Sequence, residues 1–143
     1  MHHCGIYASS GAARTLPLGL AASTSLFEEG WIDLSKGVRG DSIGEPMPVV
    51  ELSFQETRSG GSYEWHQDPV PRFVITLSGT LEFQTKSGAT FTIRPGDVLL
   101  AQDNSGTGHK WKLIGDDPWR RAYVVYENGA DLHFKPANTE EQG

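Results

Sequence analysis

Apolar and polar residues alternate one by one along several stretches of this chain. Between residues 50 and 55, Val50, Leu52 and Phe54 alternate with three polar residues. This period of two is typical of a strand with one buried face, because successive side chains of a strand point to opposite sides. The sequence predicts further strands, separated by glycine-bearing turns and loops, at 72–77, 81–84, 91–93, 98–102, 109–113 and 122–126.

Short strands at this spacing predict an all-β domain. The 143 residues include seventeen glycines and eight prolines, more turn formers than a helical bundle tolerates. We therefore expect a β-sandwich or barrel over residues 28–135, followed by a solvated C-terminal tail at 136–143. Residues 1–27 contain no acidic residue, a composition that also resembles a transit peptide, and are expected to form an N-terminal arm. An apolar arm needs a surface to cover, so the sequence also predicts a homodimer.

Charge and composition narrow the classes of partner. The formal net charge of −6 excludes nucleic acid and anionic membranes as expected partners, because phosphate binding needs a concentrated positive field. No apolar run approaches the roughly 20 residues of a membrane-spanning helix. The single cysteine, Cys4, excludes an internal disulfide and fits a reducing cytoplasm. The expected ligand is a small molecule.

Two histidines are the first candidates for chemistry. His66 and His109 lie 43 residues apart, with several of the predicted strands between them. In an antiparallel barrel this separation lets both side chains meet in one mouth, where imidazoles hold a divalent metal or transfer protons. The alternative is that each is a structural residue with a satisfied hydrogen bond.

The glycine pattern around these histidines resembles the two motifs of the cupin superfamily, whose members are double-stranded β-helix (jelly-roll) barrels. Gly60 or Gly61 opens the first motif, His66 matches its first histidine and Gly79 closes it. The segment that begins Pro95-Gly96-Asp97 resembles the opening of the second motif, and Gly106 and His109 resemble its end. The resemblance covers about residues 48–127 and implies a jelly-roll barrel. It implies no particular reaction, since cupins include enzymes of many classes and non-catalytic proteins.

The departures from the motif concern the metal ligands. Asp68 stands where the motif has its second histidine, and Arg72 stands where it has glutamate. His66, Asp68 and His109 therefore form the candidate ligand set for Mn, Fe, Ni or Zn. An inward Arg72 opposes a cation but holds a carboxylate bidentately, so it is the candidate substrate anchor. Alternatively, Arg72 forms a salt bridge with Asp68.

Other side chains can line the same mouth. Trp65 and Trp111 each neighbour a candidate histidine and suggest an aromatic wall for the ligand, although both also suit a jelly-roll core. Gln55, Gln102 and Tyr123 are candidates for inward polar groups. A further set of basic residues is expected to form a solvated face: Lys110, Lys112, Arg120 and Arg121.

Three functions remain open at this point, and the third of them is a structural jelly-roll subunit without a ligand. The first is a small cupin enzyme that acts on a small anionic organic molecule, with His66 and His109 as catalytic groups or metal ligands. The second is a non-catalytic small-molecule-binding or sensor cupin, in which the same histidines hydrogen-bond the ligand or pack.

Overall fold

The computed structural model describes residues 2–15, 21–66, 70–85, 88–102 and 108–136. Twelve strands account for most of these residues: β1 (His2–Thr15), β2 (Ala21–Lys36), β3 (Ser42–Ile43), β4 (Val49–Thr57), β5 (Ser62–His66), β6 (Arg72–Ser78), β7 (Thr80–Thr85), β8 (Thr90–Ile93), β9 (Val98–Gln102), β10 (His109–Ile114), β11 (Trp119–Tyr126) and β12 (Phe134–Pro136). The prediction of an all-β chain is confirmed. The described residues include no helix, and therefore none long and apolar enough to span a membrane.

The strands form two sheets. The larger has the order β12-β2-β1-β9-β6-β11-β4, with β3 added to β2, and the smaller has the order β5-β10-β7-β8. The pairs are antiparallel except β1 with β9, which is parallel. Neither sheet closes on itself, so the observed architecture is a β-sandwich.

The N-terminal segment belongs to the larger sheet. The backbone of β1 pairs with β2 along its whole length and with β9 at Tyr7–Ser10. The arm boundary expected at residue 27 falls inside β2, which continues to Lys36. At the other end of the chain, the boundary expected after residue 135 falls inside β12.

The two faces of the larger sheet are buried in different ways. Between the sheets lies the main core, whose buried apolar side chains are Val74, Leu81, Phe83, Ile93, Leu99, Ala101, Trp111, Trp119 and Tyr123. On the outer face, Phe73 and Leu100 are covered by side chains that include Ile32, Met47 and Phe134. Because strand residues alternate between faces, Phe73 points outward while Arg72 and Val74 point inward.

One turn connects the two sheets and closely approaches the start of β11. Gly79, between β6 and β7, has a φ of +90°, which L side chains rarely adopt. A Cβ at this position would lie 2.8 Å from both the Pro118 oxygen and the Trp119 Cα. The turn therefore depends on glycine for its conformation and for its close approach to the start of β11.

We predict that Gly79→Ala destabilises the fold more than a change that adds backbone strain alone. Gly115→Ala is the matched control, because Gly115 has a φ of +78° but no atom within 4 Å of the place that a Cβ would occupy. We expect losses of about 3 kcal/mol for Gly79→Ala and about 1 kcal/mol for Gly115→Ala in urea unfolding. Equal losses of unfolding free energy in the two variants would show that the close approach to β11 does not add to the effect of Gly79→Ala.

Candidate functional site

A cavity of about 360 Å³ lies between the two sheets. Strands of both sheets contribute to its wall: β4, β6, β9 and β11 from the larger sheet, and β5, β7 and β10 from the smaller. Its polar lining residues are Gln55, Thr57, Ser62, Tyr63, Arg72, His109, Arg121 and Tyr123, and its apolar ones are Val74, Phe83, Leu99, Ala101, Trp111 and Trp119. No carboxylate appears among these described lining residues.

Arg121 is the most deeply buried cation of the site. It lies on β11 and is 2% exposed, so the expectation that it belongs to a solvated face is wrong. The reason is its position in the alternation of β11, which turns Trp119, Arg121 and Tyr123 toward the core and leaves Arg120 outside. Arg120 is indeed exposed and pairs with Glu56 at 2.6 Å, a contact that raises the pKa of Arg120.

Three hydrogen bonds and one aromatic ring fix the Arg121 guanidinium. Nε donates to the Tyr123 hydroxyl at 2.9 Å, and Nη1 donates to Thr57 Oγ1 at 2.8 Å and to the Trp119 carbonyl at 3.1 Å. The guanidinium carbon lies 3.7 Å from the centroid of the Trp119 ring. That ring is itself held by its Nε1, which donates to Thr76 Oγ1 at 3.2 Å. None of these bonds uses Nη2 of Arg121, so its N–H groups remain for a ligand.

Arg72 is held in a different way. Its guanidinium carbon lies 3.7 Å from the centroid of the Tyr123 ring, while its Nε is buried and has no hydrogen-bond partner. Arg121 also lies near this ring, at 5.4 Å from the centroid. The two guanidinium groups therefore share Tyr123 as a common neighbour. Arg72 is one of the residues that line the cavity wall.

The charges of Arg72 and Arg121 are not neutralised by any carboxylate that the structure describes. The ion pairs found there lie elsewhere, at Asp33–Lys135, Arg39–Asp41, Glu56–Arg120, Glu82–Lys112 and Asp131–His133. The alternative salt-bridge partner of Arg72, Asp68, lies outside the described residues. Unpaired buried charge is unfavourable, so a cavity whose described lining has two guanidinium groups and no carboxylate is complementary to an anion.

His109 brings an ionisable group to the same cavity. It is 2% exposed and lies at the start of β10, with its ring centroid 5.9 Å from that of Phe83. Across the β5–β10 ladder its backbone register partner is His66. The convergence of the two imidazoles stays a prediction, because the His66 side chain lies outside the described part of the chain.

The two tryptophans of the predicted aromatic wall have different positions. Trp111 lines the cavity and packs edge-on against Trp119 at 4.9 Å, so it is both wall and core. Trp65 is not a lining residue: it is 38% exposed, and Lys110 Nζ lies 4.9 Å from its ring centroid. A register irregularity between β5 and β10 accompanies this difference. It makes Tyr63, which the sequence analysis did not select, the β5 aromatic that lines the cavity.

The polar candidates lie on different faces of the larger sheet. Gln55 and Tyr123 line the cavity, whereas Gln102 donates from Nε2 to the Tyr126 hydroxyl at 2.9 Å on the other face of the sheet. The metal set of His66, Asp68 and His109 is not tested, because only His109 has a described side chain. Among the side chains that are described, no group of three histidine, cysteine or acidic residues is placed to hold a metal ion.

Sequence reasoning missed Arg121 and Thr57 as site residues. A signal for Arg121 was present, since it lies two residues from Trp119 and from Tyr123 and must share their face in a regular strand. No signal in the sequence indicates that β4 lies beside β11 and brings Thr57 to this guanidinium.

No protein-family model matches this chain, and no curated protein sequence does so either. Among solved structures, a DUF861 family protein from Thermotoga maritima is 23% identical, with a TM-score of 0.43, over 52% of this chain and 78% of its own. Protein NMB1881 from Neisseria meningitidis is 14% identical, with a TM-score of 0.41, over 57% of this chain and 83% of its own. Both similarities extend over little more than half of this chain.

We predict that the two arginines contribute differently to the stability of the unliganded protein. Arg121→Met removes three hydrogen bonds and should lower the free energy of unfolding by about 2–3 kcal/mol. Arg72→Met removes a charge with an unbonded Nε and should change it by less than about 0.5 kcal/mol or raise it. Urea unfolding of both variants provides the comparison. A large loss for Arg72→Met would mean that this side chain is structural.

Proposed function

We propose that this chain is a small cupin-type protein that binds a small organic anion in the cavity between its sheets and acts on it chemically. The observation that carries the proposal is the presence of Arg72 and Arg121 in one cavity with no carboxylate among its described lining residues. A ligand that brings negative charge would supply the missing partner.

The chemistry of the cavity favours a carboxylate attached to a planar or apolar group. A guanidinium presents N–H donors in a plane that match the two oxygens of a carboxylate. The aromatic rings of Tyr63, Trp111 and Trp119 offer apolar wall area beside these donors. The volume of about 360 Å³ suits a small molecule rather than a peptide or a polymer.

His109 is the proposed acid or base. Its imidazole belongs to the cavity wall, so it can exchange a proton with a ligand that Arg72 and Arg121 hold in place. The register that sets His66 opposite His109 supports a second histidine in the same role. The alternative function is a non-catalytic binding or sensor protein, in which His109 only hydrogen-bonds the ligand.

The cupin assignment rests on the motif residues and on the position of the cavity. The two-sheet arrangement, the pairing of the strands that carry His66 and His109, and a ligand-sized cavity between the sheets are what a jelly-roll barrel requires. These features support the double-stranded β-helix as the finer description of the sandwich.

A divalent metal fits the described lining less well than an anion. Two guanidinium groups raise the electrostatic potential of the cavity, and a cation entering it would be repelled. The competing hypothesis is therefore a metal site, in which His66, Asp68 and His109 hold Mn, Fe, Ni or Zn. The anion hypothesis and the metal hypothesis make opposite predictions for Arg72.

We expect benzoate, as a planar carboxylate, to raise the melting temperature of the protein at low ionic strength. At a ligand concentration of 100 times Kd the stabilisation is about 2.7 kcal/mol. Arg72→Met should abolish the shift, while Arg120→Met, which removes an exposed arginine outside the cavity, should retain it. Succinate and inorganic phosphate test whether the response extends to other anions. An equal benzoate shift in Arg72→Met would contradict the role of Arg72.

Catalysis can be tested separately from binding. One-dimensional NMR of small organic acids incubated with wild type would show time-dependent conversion if the protein is an enzyme. Conversion that disappears in His109→Asn, with benzoate binding retained, supports proton transfer by His109. Binding without conversion of any acid tested would favour the non-catalytic alternative.

We further expect Arg72→Glu to change the preference of the cavity from anions to cations. The change alters the local charge by two units, so benzoate affinity should fall at least tenfold and Mn²⁺ affinity should rise at least tenfold, both by calorimetric titration. Arg120→Glu gives the same change of net charge outside the cavity and should leave both affinities unchanged. Tight Mn²⁺ binding to wild type, with equal affinity in Arg72→Glu, would support the metal hypothesis and place Arg72 away from the ion.

A further inference from the structure

A second feature of the molecule lies on the opposite face of the larger sheet. Five large apolar side chains are exposed there or at the adjoining edge, by 51% for Val49, 67% for Val50, 58% for Leu52, 71% for Phe54 and 54% for Leu77. Four of them belong to β4. We call these five residues the β4 face.

The β4 face is continuous with two surface depressions. Phe54 and Leu77 line a shallow depression beside Arg120. At the other end, Val49 lines an apolar groove of about 330 Å³ together with Ile75, Val124 and other residues of the outer face. Val49 belongs to this face because the β4–β11 ladder has a register shift at Tyr126, opposite Val49. One apolar surface therefore extends across β4, β11 and β6.

The exposed strand is also the end of the sheet. β4 is the last strand in the order of the larger sheet, so one of its backbone edges has no neighbouring strand in the described part of the chain. Edge strands of natural proteins normally carry charge, proline or a cover that prevents association. On β4, by contrast, the outward side chains of Leu52 and Phe54 are apolar and exposed.

The size of this surface is compatible with an interface. Five exposed apolar residues present roughly 500 Å², in the upper half of the ~300–600 Å² found for the largest, often functional, apolar patch of a monomer and below the ~800 Å² per partner of a standard complex. With a net charge of −6, two copies repel one another over most of their surface. At the β4 face this repulsion is reduced, because Glu56 beside Phe54 is paired with Arg120. Glu45, which lines the same groove as Val49, is a second acid near this face.

We propose that the β4 face is the interface of a homodimer, in which two copies pack this face together around a twofold axis. A twofold interface is self-complementary, so the five apolar side chains of this face can pack against the same side chains of a second copy. The homodimer expected from the sequence rested on residues 1–27. Here β1 pairs with strands of its own chain, and the proposed contact uses β4 instead.

The test is the concentration dependence of mass, measured by sedimentation equilibrium. We expect wild type to be dimeric at micromolar concentration. Phe54→Glu and Leu52→Glu, each of which places a like charge near the axis from both copies, should weaken the dimer at least a hundredfold. Val38→Glu is the matched control, because Val38 is 64% exposed but lies in the turn after β2 and outside this face. It should leave the dimer unchanged.

The substituted side chains Leu52, Phe54 and Val38 are exposed, so replacing them should have little effect on the stability of the folded monomer. A change in mass can therefore be assigned to the interface. Melting curves check that each variant is folded, and hydrogen exchange of wild-type β4 amides at high and low protein concentration gives a readout without substitution. A wild type that is monomeric at all concentrations overturns the proposal. So does a dimer that Phe54→Glu and Leu52→Glu weaken no more than Val38→Glu does. Benzoate binding in Phe54→Glu tests the cavity separately, since Phe54 is not one of its lining residues.

Discussion

The stacking of two guanidinium groups on aromatic rings inside the sandwich is the interaction on which the proposed site depends. Arg121 lies against Trp119 and Arg72 against Tyr123, and Tyr123 also accepts a hydrogen bond from Arg121. The rings replace part of the solvation that a buried cation loses. They do not neutralise its charge. This unneutralised charge is the basis of the proposal that the cavity receives an anion.

The same alternation that creates the cavity also creates the outer apolar face. Each central strand of the larger sheet sends one set of residues toward the smaller sheet and the other set outward. On β11, Arg121 and Tyr123 line the cavity while Val124 lines the groove on the other side. The inner face is closed by the smaller sheet. The outer face is covered near Phe73 by Ile32, Met47 and Phe134, but not along β4. The proposed ligand site and the proposed dimer interface therefore lie on opposite faces of one sheet.

Seven of the twelve strands could be predicted closely, whereas β1, β2, β3, β5 and β12 were not predicted as strands. Strand 98–102 has the predicted bounds, and the others differ from their predicted bounds by up to three residues, as at β11, which starts at Trp119 rather than at residue 122. Short-range alternation and turn glycines suffice for this, because they act within a few residues. Of the candidate site residues, Arg72, His109 and Trp111 line the cavity. Trp65 does not, because the irregular pairing of β5 with β10 changes which aromatic residue faces inward.

The sequence by itself determined that the chain is all-β, where most strands lie and that Arg72 stands in a position where the cupin motif has an acid. Only the tertiary structure decided which charges lack partners. Burial of Arg121 depends on both sheets closing over β11, and its fixation depends on Thr57 from a strand that is 64 residues earlier in the chain. Such contacts are set by strand order. Local alternation specifies which residues share a face, but it does not specify which strands become neighbours.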